Sequence, residues 1–168
     1  MRDRLALPDD DAVSDLYEAA CAYLRERGMR HYEISNFCFD GLVGVHNLAY
    51  WQGEEYLGFG PAAHSYYGGK RFYYERDTAA FIAGASPLYD GPGGDADETL
   101  MLALRTDLGL DLDAFRARYA LTLSPAFTNE ITRLQTLGLL TYNAPCLRLT
   151  EKGFLLSNSV ISSLLAAL

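Results

Sequence analysis

The sequence predicts an α/β plus α+β chain, in which a segment of a TIM-like α/β barrel precedes a small winged-helix-like domain. Three observations carry this. Helical periodicity over residues 8–28 gives way to the short, partly apolar run from His31 to Phe37, the helix-then-strand alternation of a barrel unit. The segment Asp90-Gly91-Pro92-Gly93-Gly94-Asp95 then interrupts both kinds of regular structure. Beyond it the composition changes to helices rich in Leu, Ala and Arg, followed by a hairpin and a closing helix. The division predicted is 1–90 and 91–168.

In the first helix, Pro8-Asp9-Asp10-Asp11 precede Val13, Leu16, Tyr17, Ala20, Tyr23 and Leu24 at helical spacing, and Gly28 stops the pattern. Its acidic start and the late Arg25 and Arg27 complement the helix dipole. In the strand after it, Asn36, Phe37 and Cys38 stand at the C-terminal end, where a barrel presents ligand-facing residues. Residues 66–94 hold Tyr67-Gly68-Gly69-Lys70, a strand-like run from Arg71 to Tyr74, and a short helix to about Gly84 capped by Asp77 or Thr78. In the C-terminal part the spacing predicts helices over 96–106, 111–119 and 124–137. Asp111 opens the second, and Ser124 with Pro125 at N1 opens the third. Leu139–Tyr142 and Leu147–Leu149 form strands around Asn143-Ala144-Pro145, and Thr150 caps the last helix.

The 168 residues are 49% hydrophobic and 21% charged, enough for one medium domain or two small ones with real cores. No long apolar run or signal-like start is present, so the expectation is a soluble, cytoplasmic chain with no membrane span. Cys21, Cys38 and Cys146 show no paired spacing and suit a reducing compartment. The net charge is −8, and residues 1–94 (8 basic, 14 acidic) and 95–168 (6 basic, 8 acidic) are both acidic. Neither part is built for phosphate backbones, and helix 124–137 offers only Arg133 against Glu130, so no nucleic-acid partner is expected.

The stretch His46–Ser65 gathers two of the three histidines, the single Trp and a Gly-rich turn into 20 residues. Core segments repeat apolar residues, whereas these groups ligate, stack, or let a backbone approach closely. A neutral imidazole at His46 is a good axial ligand for haem iron, and Tyr50 and Trp51 offer aromatic cover for a porphyrin face. The plainer reading has His46 and Asn47 hydrogen-bonded to a loop backbone. Gly58-x-Gly60-x-x-Ala63 has dinucleotide-fingerprint spacing, but residues 64–69 are aromatic and turn-rich, so a Gly-rich cavity-lining strand fits better. His64-Ser65 with Glu54, Glu55 or Asp77 lacks a nucleophile elbow. A metal set of His46, His64, Glu54 and Glu55 matches no template.

YEISNF (Tyr32–Phe37), the HNxxYW box (His46–Trp51) and Gly58-Phe59-Gly60-Pro61-Ala62-Ala63-His64-Ser65 occur together in one order. On these motifs the chain resembles, over nearly its whole length, the HemW type of haem chaperone. That type is a branch of the radical SAM proteins related to oxygen-independent coproporphyrinogen III oxidase. The resemblance implies haem binding at His46, Asn47, Tyr50 and Trp51, with His46 on the iron, and delivery of haem to an accepting protein. It implies that Asn36, Phe37 and Cys38 lie beside S-adenosylmethionine (SAM), although the family commonly has Ala at the position of Cys38. It also implies that Gly58, Gly60 and His64, with Trp51, line the porphyrin and SAM cavity.

Radical SAM chemistry needs a CxxxCxxC loop of thiolates around a 4Fe–4S cluster. The three cysteines are too dispersed to form one, so the expectation is the C-terminal part of a longer protein, not catalytic alone. A coproporphyrinogen III oxidase parent, and a bare interaction module without a ligand site, are the competing readings.

Overall fold

The computed structural model describes residues 7–168, so the first six residues of the predicted 1–90 unit lie outside the described residues. Helix α1 (Asp10–Glu26) begins where Asp9 caps it, its carboxylate accepting from the Ala12 N–H at 2.9 Å. It ends before Gly28, which sits at φ +77°. The single barrel strand expected next is instead a tight hairpin of β1 (Arg30–Glu33) and β2 (Asn36–Cys38), paired antiparallel. Ile34-Ser35 form its turn, held by the Ser35 N–H donating to Glu33 Oε1 at 3.0 Å. The run therefore satisfies its backbone groups by folding back on itself rather than against a parallel neighbour.

Helix α2 (Val45–Trp51) comes next, and then a three-stranded antiparallel sheet of β3 (His64–Tyr67), β4 (Lys70–Tyr73) and β5 (Leu88–Pro92). Gly68 and Gly69, both at positive φ, make the two-residue β3–β4 turn. Helix α3 (Thr78–Ile82), capped by Asp77 as expected, crosses from β4 to β5. The Gly/Pro segment read as a break in regular structure is partly strand: Gly91 sits at φ +119° beside the register shift that lets β5 pair with β4. Position 90/91 thus falls inside β5.

The C-terminal part keeps the predicted order. Helices α4 (Ala96–Ala103), α5 (Leu112–Tyr119) and α6 (Pro125–Thr136) are capped by Asp95, Asp111 and Ser124. Helix α4 stops earlier than expected because Thr106 bridges to Glu33, and the Asp107 N–H donates to Tyr32 O at 3.0 Å. The chain is thereby tied to the β1–β2 hairpin. Strand β6 (Leu110–Asp111), only two residues long and unread in the sequence, joins β7 (Leu140–Asn143) and β8 (Cys146–Leu149) in the order β6-β8-β7. The expected closing helix is two, α7 (Glu151–Leu155) and α8 (Ser157–Ala167), broken at Leu156. Gly153 explains the tight seating of α7: a Cβ there would meet the Leu139 carbonyl oxygen.

The core is lopsided. Sixteen buried apolar residues between Leu100 and Leu164 form one cluster, with Phe127, Leu100, Leu104, Leu147 and Leu164 wholly enclosed. Before residue 95 the buried apolar side chains among the described residues are Cys21, Tyr32, Cys38 and Tyr66. Much of the apolar face predicted for α1 stands in solvent, with Val13, Leu16 and Tyr23 exposed. Among the described residues no helix is long and apolar enough to cross a membrane.

Candidate functional site

Helix α2 carries the whole HNxxYW box, and its two turns sort the box onto two faces. His46 and Tyr50, four residues apart, share one face. Their rings meet edge to face with centroids 4.7 Å apart, and Tyr50 Oη lies 2.6 Å from His46 Nε2. His46 is exposed, so an imidazole nitrogen and a phenol stand together at the surface. Tyr50 is fixed from behind by Tyr56, whose ring crosses it at 4.4 Å and 79°.

Asn47 and Trp51 occupy the other face. Asn47 Nδ2 donates to the hydroxyl of buried Tyr32 at 3.3 Å, docking α2 on the hairpin. Gly44, just before the helix, leaves room for that hydroxyl, which would lie 2.9 Å from a Cβ there. Trp51 turns toward the end of α4, and the guanidinium of Arg105, just past that helix, stands 5.9 Å from its ring centre. Its Nε1–H is fully covered and has no hydrogen-bond partner among the described residues. Trp51 is therefore not beside Tyr50 as a second cover for one flat ligand, because five residues of helix rotate it away from His46.

The glycine-rich segment is a loop, not the expected strand, and its two glycines have separate structural duties. A Cβ on Gly58 would lie 2.2 Å from the His64 carbonyl oxygen, and the Gly58 N–H donates to Oγ of buried Ser65 at 3.0 Å. Gly60 turns the chain at φ +107°. A strand, β3, comes after it rather than a helix, so no nucleotide-binding βαβ unit forms. His64 is exposed and stacks on Tyr73, with centroids 5.1 Å apart.

On β2, Asn36 is exposed, while Phe37 stacks on His31 at 4.1 Å and Cys38 is buried. His31 does not stand out in the sequence because it sits in no motif. It is wedged between Phe37 and Phe154, with Cys21 Sγ 3.9 Å from Nδ1 and Ile34 O 3.1 Å from Nε2. Burial pushes its pKa below the ordinary value, so it is a packing group held neutral. Burial likewise drives the neighbouring Tyr17 phenol up to about 12, with the charge of Cys21 adding to it.

His46 offers one exposed imidazole, and the three cysteines do not suit an iron–sulfur cluster. Cys21 on α1, Cys38 on β2 and Cys146 on β8 belong to separate elements. Among the described residues no three His, Cys, Asp or Glu side chains converge as a metal site.

Comparison with known proteins agrees with the motifs. Residues 95–156 match the family described as the HemN C-terminal domain. The chain is 31% identical over 173 residues to the heme chaperone HemW of Bacillus subtilis, covering 98% of this chain and 46% of that protein. It is 37% identical over 172 residues to the heme chaperone HemW of Mycobacterium tuberculosis, covering 98% and 42%. To the mitochondrial radical S-adenosyl methionine domain-containing protein 1 of Bos taurus it is 32% identical over 183 residues, covering 98% and 41%. The coproporphyrinogen III oxidase HemN of Escherichia coli, a radical SAM enzyme, has the same fold over 96% of this chain and 43% of its own. The TM-score is 0.67 at 17% identity.

Residues 95–156 thus match the HemN C-terminal domain, and the fold is that of HemN. The chain spans less than half the length of these curated relatives. Over 98% of its length it is similar to proteins named heme chaperone HemW.

Proposed function

We propose that this chain is the haem-binding C-terminal portion of a cytoplasmic haem chaperone, with His46 as the axial iron ligand. The observation that carries this is the exposed His46–Tyr50 pair, 2.6 Å apart on α2, inside the HNxxYW box. Haem is the cargo, and an accepting protein is its destination. The imidazole lone pair supplies the iron bond, and Tyr50 packs beside the macrocycle. Asn47 and Trp51 act from behind, holding α2 on the hairpin and on α4.

In the longer protein, SAM and a 4Fe–4S cluster complete the radical SAM equipment. Asn36 is the exposed residue of β2 toward that cofactor, and the 58–65 loop with His64 shapes the nearby wall. The unit beginning at about residue 91 is read as winged-helix-like, a reading supported by three helices followed by a hairpin in a sheet of order β6-β8-β7. Arg133 on α6 is engaged by Glu130 through two hydrogen bonds of 2.8 and 2.6 Å, which supports a role other than gripping phosphates.

The test is a haemin titration followed by Soret absorbance, on the chain and on His46→Ala and His64→Ala. A saturable band lost only in His46→Ala is expected. No saturable band, either here or in a longer chain that includes the CxxxCxxC region, would remove the haem reading.

A further inference from the structure

A second concave site lies on the opposite side of α2. Between Trp51, strands β3 and β4, and helices α4 and α5 there is a cavity of about 170 Å³, room for the share of about five or six waters. The Trp51 indole forms one wall, and Leu102 and Leu108 supply apolar surface. Three charged side chains also line it: Arg71, Glu98 and Arg118.

These charges are not equivalent. Glu98 is already committed, one oxygen to the Arg71 guanidinium and the other to the Gly94 N–H at 2.6 Å. Arg118 has no carboxylate partner among the described residues and only leans on the ring of Tyr119, 5.1 Å away. The cavity therefore has an excess positive charge, in a chain whose formal net charge is −8.

We propose that this cavity binds a short aliphatic carboxylate, its anionic end at Arg118 and its chain against Leu102, Leu108 and the Trp51 indole. The apolar wall separates such a ligand from inorganic phosphate, and the volume suits a chain of about six heavy atoms. A ligand there touches α2 on one side and α4 and α5 on the other, so it bridges the two parts of the chain. Its binding does not depend on haem at His46.

Because Trp51 is the single tryptophan, its fluorescence reports this cavity without a label. Butyrate titrated into the full chain should give a saturable change in emission, while butyramide and inorganic phosphate should give none. Arg118→Gln should weaken the butyrate response about tenfold or more, the loss of a charge-assisted bond, and Arg118→Lys should restore part of it. Arg118 is exposed, so neither substitution threatens the core. No saturable change through the millimolar range, an equal response to butyramide or to phosphate, or an undiminished response in Arg118→Gln would each overturn the proposal.

Discussion

Tyr50→Phe isolates the chemistry of the candidate haem ligand. The Tyr50 hydroxyl lies 2.6 Å from His46 Nε2, and in the tautomer with the proton on Nδ1, the one that presents the Nε2 lone pair to iron, that nitrogen accepts from the hydroxyl. Haem can form its bond through Nε2 only after this hydrogen bond is released. A hydrogen bond of this kind has a net value of about 0.5–1.5 kcal/mol, and exposure of the pair favours the lower half of that range. Phenylalanine keeps the ring and its contact with Tyr56 while removing the hydroxyl.

Haemin affinity should therefore rise about two- to fivefold in Tyr50→Phe. The assay is the Soret titration at fixed pH, with His46→Ala as the baseline and the double variant as the check that the gain passes through His46. Weaker binding in Tyr50→Phe would refute the reasoning. It would mean that the tyrosine supports the ligand through the other tautomer or touches the iron itself. An unchanged affinity would mean that Nε2 is not the ligating atom.

Three further outcomes come from the geometry. Gly58→Ala drives a Cβ into the His64 carbonyl, and chemical denaturation should show a loss of about 1–3 kcal/mol. Phe127→Ala empties a wholly enclosed position of the C-terminal core and should cost about 3–5 kcal/mol by the same measurement, with the secondary-structure signal retained at low denaturant. His31 is held neutral by burial, so the unfolded chain takes up its proton first on acidification. Its contribution to stability is whole above the ordinary value of 6.5 and shrinks as pH falls below it. The thermal midpoint should drop as pH falls below about 6.5, and His31→Gln should flatten that part of the profile.

Legibility in the sequence tracked the strength of local signals. Asp9, Asp77, Asp111, Ser124 and Thr150 all cap helices as their residue types predict, because capping is decided within four residues. Elements set by tertiary pairing were misread. His31–Phe37 scans as one strand, yet Glu33 Oε1 and the Ser35 N–H close it into a hairpin. Leu110–Asp111 is a strand only because Leu147 and Cys146 lie opposite it. At the candidate site the sequence named the residues of α2 but could not say which way each one faces. Helical rotation separates Trp51 from Tyr50, and the partners that reveal it, Tyr32 and Arg105, are distant in sequence.

The seam between the two parts of the chain decides how this protein can be taken apart. Tyr66 packs so closely on Gly93 and Gly94 that a Cβ on either would overlap its ring or hydroxyl, and Arg71 on β4 holds Glu98 on α4. A cut at residue 90 would sever β5 in mid-strand, take Gly91 and Pro92 from their β4 partners Arg71 and Lys70, and remove Glu98 from Arg71. Expression of the two parts as separate pieces would leave the first with a frayed sheet edge and an unpaired guanidinium. Dissection is better done by disabling one part through point substitutions and leaving the polypeptide whole.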